Sequence, residues 1–336
     1  MAAVNLKKAD RVPVVPQITY ATASLTGIHF SDALRSPEKM ADAIIAGYRE
    51  AGYDGVYVGW ESSFNLLAEA MGCELKISPD IVASVKKPAI TTEKDVEKVP
   101  IPDPERDGRL PVHLKALDLV KEELPAEVPI FRYIPGALTL SNQLRGTENF
   151  LRDLLRNPDL IEKVLELSEE ASLRFGEATA EHGADVLVLA DPMASSTVIS
   201  PEMFEKYAYP SLKRTIEAFK KLGVIASLHI CGNTLPILER MVDTGAQILE
   251  LDHLVDLEAA KRRVGRRVCI MGNVNPTGVL LSGSPQSVEE ESRRCIEKAA
   301  EDGGFILSSG CEVPLRAPFE NVKAMVQASI KYGRYS

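Results

Sequence analysis

Two short segments carry side chains that together could hold a metal ion: Leu228-His229-Ile230-Cys231-Gly232-Asn233 and Ser309-Gly310-Cys311-Glu312-Val313-Pro314. Each begins where an apolar, strand-like run gives way to a loop. Side chains two apart on a strand share a face, so His229 and Cys231 point the same way. Cys311 adds a second thiol from a different strand end. One imidazole and two thiolates form a donor set that Zn²⁺ accepts readily. Three protein ligands with an exchangeable fourth position mark a catalytic site rather than a structural one. Spacing by itself leaves a second reading open, because His-x-Cys is a short pattern and unpaired cysteines are most often core residues.

The elements that must position these residues alternate along the chain. Strand-like runs lie at 12–17, 55–59, 129–133, 185–190, 226–230, 247–251, 268–271 and 305–308. Helical stretches between them carry start and stop signals. Ser36-Pro37-Glu38 opens a helix through Ala51 that Gly52 ends; Asn157-Pro158-Asp159 opens one to about His182; Ser200-Pro201-Glu202 opens one that stops near Gly223. A polar cap, Pro in the first turn and Gly past the end are the expected punctuation. Eight strand–helix units predict an α/β fold of the (β/α)₈ TIM-barrel type, as one domain over residues 1–336. A doubly wound open sheet is the alternative, weakened by the lack of a Gly-x-Gly-x-x-Gly turn after any strand. The stretch 73–124 breaks the rhythm with Pro and charge and reads as an insertion flanking or capping the barrel mouth.

In such a barrel the chemistry sits at the C-terminal strand ends. Collected there are Gln17 and Tyr20, Trp60 and Glu61, Arg132 and Tyr133, Asp191 and Met193, His229 and Cys231, Glu250 and Asp252, Asn273, and Cys311 with Glu312. Several have plainer readings. Trp60 also reads as packing, Arg132 as the partner of a barrel carboxylate, and Asp191 before Pro192 as a cap. Cys269 reads as core, Cys73 and Cys295 as helix packing, and His29, His113 and His182 as surface or helix-end residues. His253 reads as a satisfied loop residue.

Composition limits the partners. The chain has 336 residues, 45% hydrophobic and 26% charged, with 39 basic and 48 acidic residues and a net charge of −9. No basic block is present, which argues against nucleic acid or an anionic membrane surface. No apolar run approaches the ~18 residues of a membrane span. The five scattered cysteines and the absence of a secretory leader suit reduced thiols in the cytoplasm.

These motifs carry a resemblance. Ala190-Asp191-Pro192, the His229–Asn233 segment, Met271-Gly272-Asn273-Val274-Asn275-Pro276, Gly310-Cys311-Glu312-Val313-Pro314 and Pro318-Phe319-Glu320-Asn321-Val322 resemble the uroporphyrinogen decarboxylase superfamily. Within it they resemble the corrinoid-dependent methyltransferase branch, which includes methylcobalamin:coenzyme M methyltransferases and the methyltransferases of O-demethylase systems. The resemblance covers most of the chain and is strongest from Ala184 onward. It implies a (β/α)₈ barrel, zinc on His229, Cys231 and Cys311, and a corrinoid (cobalamin) supplied by a partner protein. The decarboxylase itself fits less well, because no Arg lies between Arg11 and Arg35 to compensate a poly-acid tetrapyrrole.

For such a methyltransferase, the exchangeable fourth zinc ligand is expected to be Asp252, with Glu250 second and Asp191 nearby at the catalytic rim. Tyr20, Trp60, Tyr133, Met193 and Asn273 are expected to face the substrate. This wall favours a small methyl ether; a thiol acceptor of the coenzyme M kind is the alternative. The chain lacks the Asp-x-His-x-x-Gly motif of a corrinoid-binding domain, so the corrinoid is expected on a separate protein. With an imidazole reference value of ~6.5, protons are expected to displace zinc below about pH 6.

Overall fold

The structure, a computed structural model, describes residues 1–59, 64–78 and 81–335. Strand β1 (Val56–Tyr57) is followed by an antiparallel hairpin of β2 (Glu74–Ser78) and β3 (Ile81–Lys87). Then come β4 (Ile130–Pro135), β5 (Val186–Ala190), β6 (Ile225–Ile230), β7 (Ile248–Leu251), β8 (Cys269–Val274) and β9 (Phe305–Ser309). β1 and β4 to β9 form one parallel sheet in that order.

The first expected run, 12–17, is extended backbone rather than a regular strand. Pro13 and Pro16 have no N–H to give a ladder. The run nevertheless closes the ring. Val15 N–H donates to the Leu307 carbonyl at 2.9 Å, Leu307 N–H to that of Pro13 at 2.9 Å, and Asp54 N–H to that of Val14 at 2.7 Å. A TIM-type barrel results, with one sparsely bonded seam beside β9.

Period-two alternation divides the strands between two cores. Val15, Tyr57, Phe131, Tyr133, Val186, Val188, Ile248, Met271 and Ile306 fill the lumen, which Ala3, Val4 and Leu6 cover at its N-terminal end. Val14, Val56, Leu187, Leu228, Leu249 and Leu307 point outward against the helices. Ser227 and His229 share the inward face of β6, and His229 pairs in register with Glu250 of β7.

The helices follow their signals. Pro37–Ala51 is capped by Ser36, whose Oγ accepts the Lys39 N–H, and ends at Gly52 with φ 69°. Such a cap is worth about 1 kcal/mol. Pro158–Glu181 matches the expected second helix. The third begins at Pro201 but widens into a π turn over Phe204–Ala208 before continuing as Tyr209–Lys221. Pro210 has no N–H for the i−4 carbonyl, so the backbone must shift there. The segment 73–124 contains the hairpin, the 3₁₀ helix Glu93–Lys98 and the helix Leu110–Glu123, which packs beside Pro37–Ala51. No helix among the described residues is long and apolar enough to cross a membrane.

Candidate metal and substrate site

His229, Cys231 and Cys311 converge at the C-terminal rim. The Nε2 of His229 lies 3.2 Å from Cys231 Sγ and 3.9 Å from Cys311 Sγ, and the two sulfurs are 3.7 Å apart. A tetrahedral ion with bonds of ~2.3 Å to sulfur and ~2.0 Å to nitrogen holds its sulfurs about 3.8 Å apart and each sulfur about 3.5 Å from the nitrogen. The three side chains therefore fit zinc without rearrangement. Among the described residues they form the one cluster of metal-ligating side chains this tight. The imidazole is fixed from behind: its Nδ1 is 3.2 Å from the Glu250 carbonyl oxygen. A carbonyl only accepts, so Nδ1 carries a proton in either protonation state, and Nε2 is the nitrogen turned to the sulfurs, its lone pair free for a metal once its own proton has left.

Local backbone sets the two cysteines. Gly232, directly after Cys231, has φ 80°, and a Cβ there would fall 2.7 Å from Ser195 Oγ. Its N–H donates to Asp252 Oδ2 at 2.9 Å. Gly310, directly before Cys311, lies so close to the next loop that a Cβ would meet the His253 nitrogen at 2.4 Å. Asp252 Oδ1 accepts the Leu254 N–H at 2.9 Å and sits 2.9 Å from His253 Nδ1. Both oxygens of Asp252 are thus occupied in shaping the rim loops.

Electrostatics prepare the metal-free site as an ion pair. Burial would lower the His229 imidazole, but the hydrogen bond and charge of Cys311, with Glu250 and Asp252 behind, push it up to about 9. A hydrogen bond from Cys231 holds the Cys311 thiol well below its ordinary value, against burial and with help from His229. Cys231, the donor of that bond, is raised by it and then by burial.

Beneath the triangle lies a polar floor. Glu250 is fully buried; its Oε1 accepts from Ser227 Oγ at 2.7 Å, while its Oε2 has no hydrogen-bond partner. Burial raises its carboxyl, opposed by His229, Ser227 and Tyr57. The Tyr57 hydroxyl acts on that carboxyl but closes no well-formed hydrogen bond. Glu312 Oε1 accepts from Thr19 N–H and Oγ1, both at 2.8 Å, and from Tyr20 N–H at 3.2 Å; its Oε2 is unpartnered and out of solvent. Burial pushes Glu312 up to about 8 against those bonds. Tyr133 donates to Gln17 Oε1 at 2.7 Å, stacks at 4.9 Å on Tyr57 and meets Phe64 edge-on at 6.0 Å.

Other expected rim residues are placed elsewhere. Asp191 is fully buried and receives the Leu138 N–H at 3.2 Å and the Thr139 N–H and hydroxyl at 2.8 and 2.6 Å. Its carboxylate caps the helix Ala137–Arg145 from outside the lumen, and burial pushes it up to about 6 against those bonds. Asn273 Nδ2 donates to the Asp252 and Val255 carbonyls at 2.9 and 2.8 Å, tying down the loop after β7. Tyr20 packs in the outer core, and Met193 is half-buried after β5, its N–H on Thr139 Oγ1. Trp60 and Glu61 lie outside the described residues. Arg132 alternates with Phe131 and Tyr133 and so points outward, to the Val58 carbonyl, the Phe175 ring and His113. His113 is therefore fully buried, not at the surface as its sequence context suggested. Tyr57 was not singled out in sequence, and Glu312 was collected at the rim without a role. A two-residue strand hides Tyr57's inward period, and the clamp on Glu312 comes from residues 19 and 20.

The family model for uroporphyrinogen decarboxylase (URO-D) matches residues 1–332. The chain belongs to the uroporphyrinogen decarboxylase family. Within the uroporphyrinogen decarboxylase family it is similar to the methylcobamide:CoM methyltransferase MtaA of Methanosarcina barkeri, at 31% identity over 99% of this chain and 96% of that protein. It is 28% identical to a methylated-thiol–coenzyme M methyltransferase of Methanosarcina mazei, over 98% of this chain and 87% of that one. A solved methyltransferase from Methanosarcina mazei superposes with a TM-score of 0.90 at 30% identity, covering 98% and 97% of the two chains.

Proposed function

We infer that this protein is a corrinoid-dependent methyltransferase of the methylcobamide:thiol kind. It transfers a methyl group from the cobalt of a corrinoid, carried by a partner protein, to the sulfur of a small thiol. The observation that carries this reading is the triangle of His229 Nε2, Cys231 Sγ and Cys311 Sγ, whose separations match a tetrahedral zinc site, in a chain whose close relatives are named for this chemistry. Zinc, when bound, supplies Lewis acidity that holds a thiol as its thiolate near neutral pH.

The chain's own residues provide the rest. His229 is oriented by the Glu250 carbonyl, and the two cysteines by the turns at Gly232 and Gly310. The open oxygen of Glu250 supports it, over the fully engaged Asp252, as the exchangeable fourth ligand and as the group that holds the proton the thiol gives up. Asp191 acts as a positioning residue: its N–H donates to the His229 carbonyl at 2.9 Å, joining the cap to the metal strand. The lumen is filled by Val188, Met271 and Ile306, so a corrinoid has to be presented at the rim by its carrier.

A methyl ether as donor, with transfer toward cobalt, is the second reading. The rings of Tyr57, Phe64 and Tyr133 in the lumen favour it. A tetrapyrrole decarboxylase is disfavoured, because the guanidinium of Arg132 faces away from the lumen.

The test is stopped-flow absorbance of methylcob(III)alamin with the purified protein, its metal content known, and a panel of thiols and aryl methyl ethers. Demethylation of the corrinoid by a thiol, lost on metal removal and in Cys311→Ser, is expected. Transfer that survives in metal-free protein would overturn the reading.

A further inference from the structure

Two corners of the metal triangle are also a pair of thiols in their own right. Of the five cysteines, Cys231 and Cys311 are partly exposed, whereas Cys73, Cys269 and Cys295 are buried. The buried three meet oxygens: the carbonyls of Gln143 and Ile270 and the side chain of Asn273. Cys231 and Cys311 meet each other, with their sulfurs 3.7 Å apart. A disulfide holds its sulfurs about 2.0 Å apart, so the pair has to close by about 1.7 Å. Both side chains stand outside the regular sheet, Cys231 directly after β6 and Cys311 two residues beyond β9. Neither is held by a strand ladder against that closure.

A peroxide supplies the two electron vacancies a disulfide needs. One sulfur attacks the peroxide, a sulfur–oxygen bond forms and the oxygen–oxygen bond breaks. The departing oxygen leaves as water, with a proton from the thiol or from solvent. The second sulfur then attacks the resulting sulfenic acid; the sulfur–sulfur bond forms, the sulfur–oxygen bond breaks and a second water leaves. Sulfur is oxidised and peroxide reduced, in the net sense of two thiols and one peroxide giving one disulfide and two waters. A metal bound to both sulfurs occupies the lone pairs this sequence uses. Once the disulfide has formed, His229 is the one member of the triangle left, and both oxygens of Asp252 are already taken.

We propose that Cys231 and Cys311 form a metal-guarded redox pair: peroxide turns the zinc-free pair into a disulfide that closes the site to metal, and a thiol reductant reopens it. This rests on the metal site assigned above and not on the identity of the methyl acceptor.

The test treats the full chain with hydrogen peroxide, once stripped of metal and once with zinc in excess. The stripped protein is expected to lose two of its five thiols, to yield one linked peptide pair containing Cys231 and Cys311, and to refuse zinc until reduced. With free zinc about ten times above its dissociation constant, the cross-link should form about tenfold more slowly. In stripped Cys231→Ser and Cys311→Ser no link forms, and the remaining sulfur should go on to the sulfinic acid, a gain of about 32 Da. Five thiols left in stripped wild type, or the same sulfinic product in wild type as in the variants, overturns the proposal. Equal rates with and without bound zinc overturn the guarding role. If the cross-link forms in a protein that takes up no zinc even when fully reduced, the redox pair stands, and the metal assignment falls with the methyltransferase reading built on it.

Discussion

Replacing His229 by Gln tests the metal site through its protons. In the metal-free protein near pH 7 the triangle holds two protons: one on the imidazole, pushed up to about 9, and one on Cys231, whose thiol is raised. Cys311, held low, has already lost its own. Zinc needs a neutral imidazole and two thiolates, so binding must expel two protons. Each proton is worth about 1.4 kcal/mol per pH unit. Apparent zinc affinity should therefore rise about a hundredfold per pH unit from about pH 6.5, and less steeply above about pH 9, where the imidazole is already neutral. The imidazole reference value had placed the loss of zinc below about pH 6; the charge of Cys311 beside His229 moves the competition upward. In His229→Gln the Cys231 hydrogen bond to Cys311 remains, leaving one proton to expel and a slope near tenfold per pH unit. Competition against a chromophoric chelator across pH 6.5–9 measures both slopes. Parallel slopes for the two proteins, or a wild-type slope near zero, would show that His229 is not a ligand in the state described.

Three further outcomes are expected. In metal-free protein at pH 7, iodoacetamide should label Cys311 first and zinc should protect it, whereas Cys269 and Cys295, buried with thiols pushed up to about 12 and about 11, stay unlabelled; peptide mass spectrometry reads this. Asp191→Ala orphans two buried N–H groups and a hydroxyl and should cost roughly 2–5 kcal/mol in urea unfolding, whereas unchanged stability with abolished transfer would make Asp191 a participant in the chemistry. For His182, burial lowers the imidazole, but hydrogen bonds to Asp118 and Glu105 at 2.7 and 3.1 Å outweigh it and raise it. That contribution is complete below the unfolded value of ~6.5 and lost as pH rises through the folded one, so Asp118→Asn should narrow its stability gap to wild type as pH rises from about 5.5 to about 9.

What could be read from sequence followed backbone periodicity. The apolar runs and their caps give the strands and helices, and period two puts His229 and Cys231 on one face. The same rule places Arg132 opposite Tyr133, so its outward direction was available from Phe131-Arg132-Tyr133 alone. What could not be read depended on partners distant in the chain. Asp191 is a cap because residues 138 and 139 offer N–H groups to it, and Asn273 is a tie because the loop after β7 turns its carbonyls that way. Asp252 and Glu250 share one face of their strand, and the sequence reading put Asp252 first; what tells them apart is that the N–H groups of Gly232 and Leu254 claim Asp252.

The sparsely bonded seam beside β9 gives the barrel a place to breathe. With two prolines in the facing segment, few main-chain bonds resist opening there, and Glu312, gripping Thr19 and Tyr20, bridges the gap within a residue of Cys311. Opening the seam would carry Cys311 away from the other two ligands on β6. A metal held by all three therefore acts as a clasp on the ring as well as a reagent. Amide hydrogens at Val15 and Leu307 should exchange with solvent more slowly in zinc-loaded protein than in stripped protein, while amides on the far side of the ring, between β4 and β5, respond much less.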